Sequence, residues 1–158
     1  MRRNKRTLKG QSSFELLVTL SIGLAILLPI VIIAFIQLSN ANVSISSIQS
    51  QQAASKLASV ASTVASEGPP AKQLVQITVP PNVENIYVGT ESGGIGHAVI
   101  FVVRASNGPS YITEYTPANI SGNLGGIVNQ GTYLINMTAE DSCPTNPTLG
   151  CVYLSPVI

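Results

Sequence analysis

At 158 residues the chain has room for one domain with an appendage. Only 9% of its residues are charged, against roughly 25% in ordinary soluble domains. Five of the eight basic residues (Arg2, Arg3, Lys5, Arg6, Lys9) stand in the first nine positions, and beyond them Lys56, Lys72 and Arg104 face seven acidic groups, so a basic surface for nucleic acid is excluded.

After the basic block comes "KGQSSFELLVTL", residues 9 to 20, which opens the one long apolar run and carries a glutamate. From Leu16 to Ile36 there is no charge. At about 1.5 Å per residue, that run makes a helix of about 31 Å, enough to cross the hydrocarbon core of a bilayer. Basic residues precede the run and no comparable block follows it, which places the N-terminus in the cytoplasm and the remainder outside. A cleaved secretory signal is the competing reading. The apolar part is too long for it, and no A-x-A-like site follows Ile36.

Between Leu16 and Ser66 the only charged residue is Lys56, and after Pro29 there is no further Gly or Pro. Ala53, Leu57, Val60, Ala61 and Val64 recur at helical spacing, among Ser, Thr, Gln and Asn rather than charges. A flexible Ser/Gln-rich linker is one reading. The other is a helix over residues 11–67, roughly 80 Å long from Phe14 to Ser66, packed among other helices and melted or kinked at Pro29. Gly68-Pro69-Pro70 ends it.

From Lys72 the pattern changes to short runs between turn residues: "QLVQITV", "VENIYVG", "HAVIFVVRA", "SYITEYT", "GTYLINMTA" and "CVYLSPV". Ala98–Val103 reads as a central strand buried on both faces. The expected fold class is α+β: a long hydrophobic helix, then a small antiparallel sheet or sandwich over residues 73–158 whose core the rear of the helix completes. The glycine-rich "ESGGIGH" lacks the Lys-Ser/Thr of a phosphate loop and reads as a hairpin.

No catalytic constellation emerges. His97 is the only histidine, Glu140 and Asp141 are adjacent and diverge on a strand, and no nucleophile-elbow pattern occurs. No cofactor and no enzymatic activity are expected. Cys143 and Cys151 admit a reduced pair, a metal pair or a disulfide. With one histidine and no third cysteine a metal site is poorly supplied, and an exterior location favours the disulfide. Three N-x-[ST] sequons start at Asn42, Asn119 and Asn136. Asn119, between Pro117 and Gly122, is expected in a loop. Asn136 is expected on the outer face of its strand, opposite Tyr133, Ile135 and Met137, while Asn42 falls on the packed helix.

Glu15 has a purely structural reading: Ser12 and Glu15 are spaced as a capping box, and an acid in the first turn suits the helix dipole. That leaves Lys9-Gly10-Gln11-Ser12-Ser13 unexplained, and an acid against lipid is costly unless partnered. "KGQSSFELLVTL" resembles the class III signal peptide of archaeal type IV pilins, in which a prepilin peptidase cuts after the glycine of a pattern Q-x-S-x-E. By that resemblance the cut falls between Gly10 and Gln11, Lys9, Gln11 and Ser13 belong to the processing motif, and Glu15 becomes residue five of the mature chain. Thr19 stands where the family usually has leucine, with Leu20 beside it.

The resemblance implies residues 1–10 as a removed leader, a homo-oligomeric helical filament on the cell surface, and an assembly ATPase and membrane platform as partners. It also implies a pairing of Glu15 with the freed α-amine during assembly. The reading is a pilin for adhesion. Its rivals are a minor pilin or tip adhesin with a binding head, an archaellin, and an enzyme anchored by one span.

Overall fold

The computed structural model describes residues 7–105, 107–144 and 146–157, with side chains from Ser13 onward. The element order is α1 (Thr7–Glu67), β1 (Lys72–Val79), β2 (Val83–Gly89), β3 (Gly96–Ala105), β4 (Gly108–Asn123), β5 (Gly131–Glu140) and β6 (Cys151–Pro156). Two compact units divide at Ala41/Asn42, within α1. The fold is α+β, one long apolar helix followed by a six-stranded sheet.

In the first unit every large apolar side chain from Phe14 to Leu38 is exposed. The hydroxyls in this stretch are satisfied within the helix. Thr19 Oγ1 donates to the carbonyls of Glu15 and Leu16, both at 3.0 Å, and Ser21 Oγ to that of Leu17 at 2.7 Å. Such back-bonding keeps neither hydroxyl donor open to an apolar surrounding.

Two features of the helix backbone bear on its expected shape. The helix is already formed at Thr7, so Ser12 lies within it and not at the N-cap position that a capping box needs. Gly10 is the only breaker in "TLKGQSS", and a single glycine costs about 1 kcal/mol, too little to end a helix. The helix also runs unbroken through Pro29, without local melting. Proline removes one backbone donor there, and the Leu and Ile turns on either side keep the remaining ladder.

In the second unit the rear of α1 buries one face: Ser46, Ser50, Ala53, Ala54, Leu57, Ala58, Ala61 and Val64. The three- and four-residue spacing keeps these positions on one stripe. Of these, Ala53, Ala54, Leu57, Ala61 and Val64 join Val75, Ile77, Ile86, Val88, Val99, Phe101, Val103, Ile120, Ile135, Met137, Val152 and Leu154 in one hydrophobic core. The linker reading is thereby overturned. Gly68 ends the helix with φ +71, the left-handed conformation that favours glycine, and its N–H reaches the Val64 carbonyl at 3.2 Å.

All six strand runs are strands. They form one sheet in the order β1-β5-β6-β4-β2-β3, with β4 also paired to β3, so there is no sandwich. The sheet is mixed rather than antiparallel throughout, because β6 inserts between β5 and β4 and runs parallel to β4, with Ile120, Ser121 and Gly122 beside Val152, Tyr153 and Leu154. β3 lies between β2 and β4 for most of its length. Val99, Phe101 and Val103 join the core under α1, while Ala98 and Val102 on the other face stand across from Tyr115 and Tyr111.

"TESGGIG" closes the β2–β3 hairpin. Gly93 N–H donates to the Thr90 carbonyl at 2.9 Å, and Gly94 N–H to Thr90 Oγ1 at 2.9 Å. Gly89 has φ +89, and a Cβ there would sit 2.1 Å from the Gly94 carbonyl oxygen, so only glycine fits.

β4 is longer than "SYITEYT". It continues through Pro117 to Asn123, and Asn119 lies in this strand, not in a loop. Between the pairs Ala98↔Tyr115 and Gly96↔Ile120, four β4 residues stand against His97 alone. This bulge frees Pro117 from the need for a ladder N–H.

Candidate functional site

The residues of the pilin resemblance fall at the front of α1. Lys9, Gly10 and Gln11 are part of the helix backbone, and Ser13 and Glu15 are exposed on it. The basic residues Arg2, Arg3, Lys5 and Arg6 lie outside the described residues. Glu15 is the last charge before forty helical residues that carry none, up to Lys56. From Ser13 on, α1 is long and apolar enough to cross a membrane, and its most apolar stretch is not covered by any part of the protein.

Lys56 itself is not part of a charged outer face. Its Nζ donates to the main-chain carbonyl of Gln76 in β1 at 2.8 Å. Gln51 Nε2 reaches another strand and donates to the Glu114 carboxylate of β4. The helix thus meets the sheet through a dry stripe of small and aliphatic residues flanked by polar contacts.

Cys143 and Cys151 form a disulfide with Cα atoms 5.5 Å apart. The bridge spans the β5–β6 connection, whose tip is tightened by Cys143 N–H to the Leu149 carbonyl at 2.9 Å and Asn146 N–H to the Cys143 carbonyl at 3.0 Å. Both cysteines are buried.

The three sequons differ in setting. Asn42 is exposed on the helix, and its carbonyl accepts from the buried Ser46 Oγ at 2.9 Å. Asn119 is half-buried in β4, with its Nδ2 donating to the Gly150 carbonyl at 3.4 Å, and its sequon ends in the fully buried Ser121. Asn136 lies on the face of β5 away from the core, beside Thr138, while Ile135 and Met137 are fully buried.

The residues considered for catalysis stay apart in role. His97 is exposed and its Nδ1–H donates to the Ala118 carbonyl at 3.0 Å. Glu140 ends β5 and Asp141 follows in the exposed connection. Among the described residues no three His, Cys, Asp or Glu side chains are grouped to hold a metal ion.

One constellation has no signature in the linear sequence. Tyr87, Asn123, Ser121 and Tyr153 come from three segments and meet only through the pairing of β2, β4 and β6. Comparison with protein-family models, with curated proteins and with solved structures gives no match to this chain.

Proposed function

We propose that this chain is the structural subunit of an archaeal type IV pilus-like surface filament. The carrying observation is a single helix with two kinds of surface. Its rear half completes the core of a β-rich head. Its front half, from Leu16 on, is apolar, charge-free and uncovered within the protein. A surface of that kind requires lipid or other helices around it.

Before assembly the bilayer covers the front half, with the head outside. Removal of residues 1–10 by a prepilin peptidase frees the α-amine of Gln11, and Glu15 lies one helical turn further on. A carboxylate at that distance neutralises an amine on its own chain or on a neighbour, which lets the otherwise apolar segment leave lipid and enter a helical core. An assembly ATPase and a membrane platform supply the work of extraction. Adhesion is then a property of the exposed heads.

The test is mass spectrometry of filaments sheared from the cell surface. The expected result is this chain as an abundant subunit beginning at Gln11, and Gly10→Val leaving the precursor uncut in the membrane. Filaments containing a chain that still begins at Met1 or Arg2 would refute the processing step, and absence of the chain from filaments would refute the subunit role.

A further inference from the structure

The face of the sheet turned away from α1 carries a groove of about 450 Å³ where β2, β4 and β6 meet. Its floor follows from strand alternation. Ile86, Val88, Val152 and Leu154 point into the core, so the intervening Tyr87 and Tyr153 point to the opposite face. Tyr87 is the register partner of Asn123, and Tyr153 that of Ser121, two residues before Asn123 on the same face of β4. The hairpin loop after β2 supplies Glu91 and Ser92 along the rim.

The polar groups are held in place. Asn85 Nδ2 donates to the Tyr87 hydroxyl at 2.9 Å, and its Oδ1 accepts from Ile86 N–H at 2.9 Å. Asn123 Oδ1 accepts from Gly125 N–H at 3.3 Å, which leaves the amide nitrogen to donate elsewhere. Gly125 lies beside this corner: a Cβ there would make ordinary van der Waals contact with Asn85 Oδ1 at 3.5 Å and Asn123 Oδ1 at 3.6 Å.

The lining selects an occupant by its chemistry. Among the described residues no Lys, Arg or His lines the groove, so none of them there compensates an anion such as a phosphate or a carboxylate. Its aliphatic members Ile86, Val88 and Leu124 are spent in the core, so a lipid tail finds little apolar surface. What remains is two half-buried phenol rings, which combine an apolar body with a hydroxyl, beside the amides of Asn85 and Asn123, the exposed Ser92 hydroxyl and the Glu91 carboxylate. We propose that this groove binds a neutral saccharide, with the apolar face of a sugar ring on a tyrosine and its hydroxyls bonded to Asn123 and Glu91. The site belongs to the head and does not depend on filament assembly.

The experiment uses the full-length protein in a detergent without a sugar headgroup, lauryldimethylamine oxide, and the methyl glycosides of glucose, galactose, mannose and N-acetylglucosamine. Saturation-transfer NMR reads contact with the sugar ring, and tyrosine fluorescence reads affinity, since the chain has five Tyr and no Trp. At least one glycoside should show transfer. Tyr153→Ala and Asn123→Ala should each weaken binding by about tenfold, while Tyr115→Ala, on the bare part of β4, should leave it unchanged. If Tyr153→Ala loses its circular dichroism spectrum, Asn123→Ala, an exposed position, decides alone. Binding of the free glycosides assigns a soluble sugar. Retention only on beads carrying oligosaccharides of the same sugars assigns the end of a glycan. Absence of both, or binding that survives Asn123→Ala unchanged, overturns the proposal.

Discussion

The Lys56 ammonium donates to the main-chain carbonyl of Gln76 at 2.8 Å, and so the one charge between Leu16 and Ser66 is used on the edge strand β1. An edge strand offers unpaired carbonyls and N–H groups to any other extended chain, and a lysine laid against it is a recurrent guard. Lys56→Met keeps the aliphatic stem and removes this bond. It should lower head stability by about 1 kcal/mol and raise self-association of the head. Urea unfolding followed by circular dichroism, with light scattering at matched concentration, checks both.

Glu15→Val tests the assembly role. The leader should still be cut, because Gly10 and Gln11 are untouched, while filament yield falls. Leaving the new amine unpaired in a buried site costs about 3–5 kcal/mol per subunit. Wild-type filament mass from this variant would reduce Glu15 to an ordinary exposed residue of α1.

Ser59 is exposed on α1 and Ser47 is half-buried. For the isolated chain, Ser59→Asp should change stability by no more than about 0.5 kcal/mol, as for most surface sites. In a filament the same charge recurs in every subunit away from water, and its desolvation recurs with it. Filament mass per cell should therefore fall for Ser59→Asp and Ser47→Asp but not for Ser92→Asp, in the hairpin loop. Equal mass from all three would remove the packed-helix interpretation of residues 16–66.

The Cys143–Cys151 bridge closes a short loop between β5 and β6, for which chain entropy gives about 2.5 kcal/mol. The double change to serine should destabilise the head by about that amount, measured by thermal unfolding, and non-reducing peptide maps of the protein should show the linked pair.

For glycosylation the folded head separates the sequons. Asn136 stands on the outer face of β5, whereas Asn119 is engaged with Gly150 and its sequon ends in buried Ser121. Glycopeptide analysis should find Asn136 occupied to a greater extent than Asn119. The reverse order would mean that modification precedes folding of β4.

Much of the fold was legible because its signals are local. The six strands are bounded by Pro80, Pro81, Gly89 and other turn residues, and Gly68-Pro69-Pro70 marks the helix end in both sequence and structure. The buried helix stripe showed in the spacing of Ala53, Leu57, Ala61 and Val64. What was missed depends on pairing. Pro117 reads as a turn residue, yet the bulge opposite His97 carries β4 past it. The parallel β4–β6 contact joins segments about thirty residues apart with no periodicity to announce it. The Tyr87–Asn123–Tyr153 groove has the same origin: its members are ordinary strand residues until register places them side by side. At the front of α1 the motif residues were legible only by resemblance, since neither burial nor bonding distinguishes Glu15.

The border between the two units falls inside an element rather than in a loop, at Ala41/Asn42. A fragment cut at Gly68 would lose Ala53, Ala54, Leu57, Ala61 and Val64 and leave Val99, Phe101 and Ile135 facing water. A soluble head must therefore begin near Asn42 and carry about seven turns of helix with it. The same holds for inheritance: a gene segment that exchanged one head for another at the visible turn would part the sheet from the half of the helix it folded against, so recombination between chains of this plan is constrained to break within the helix.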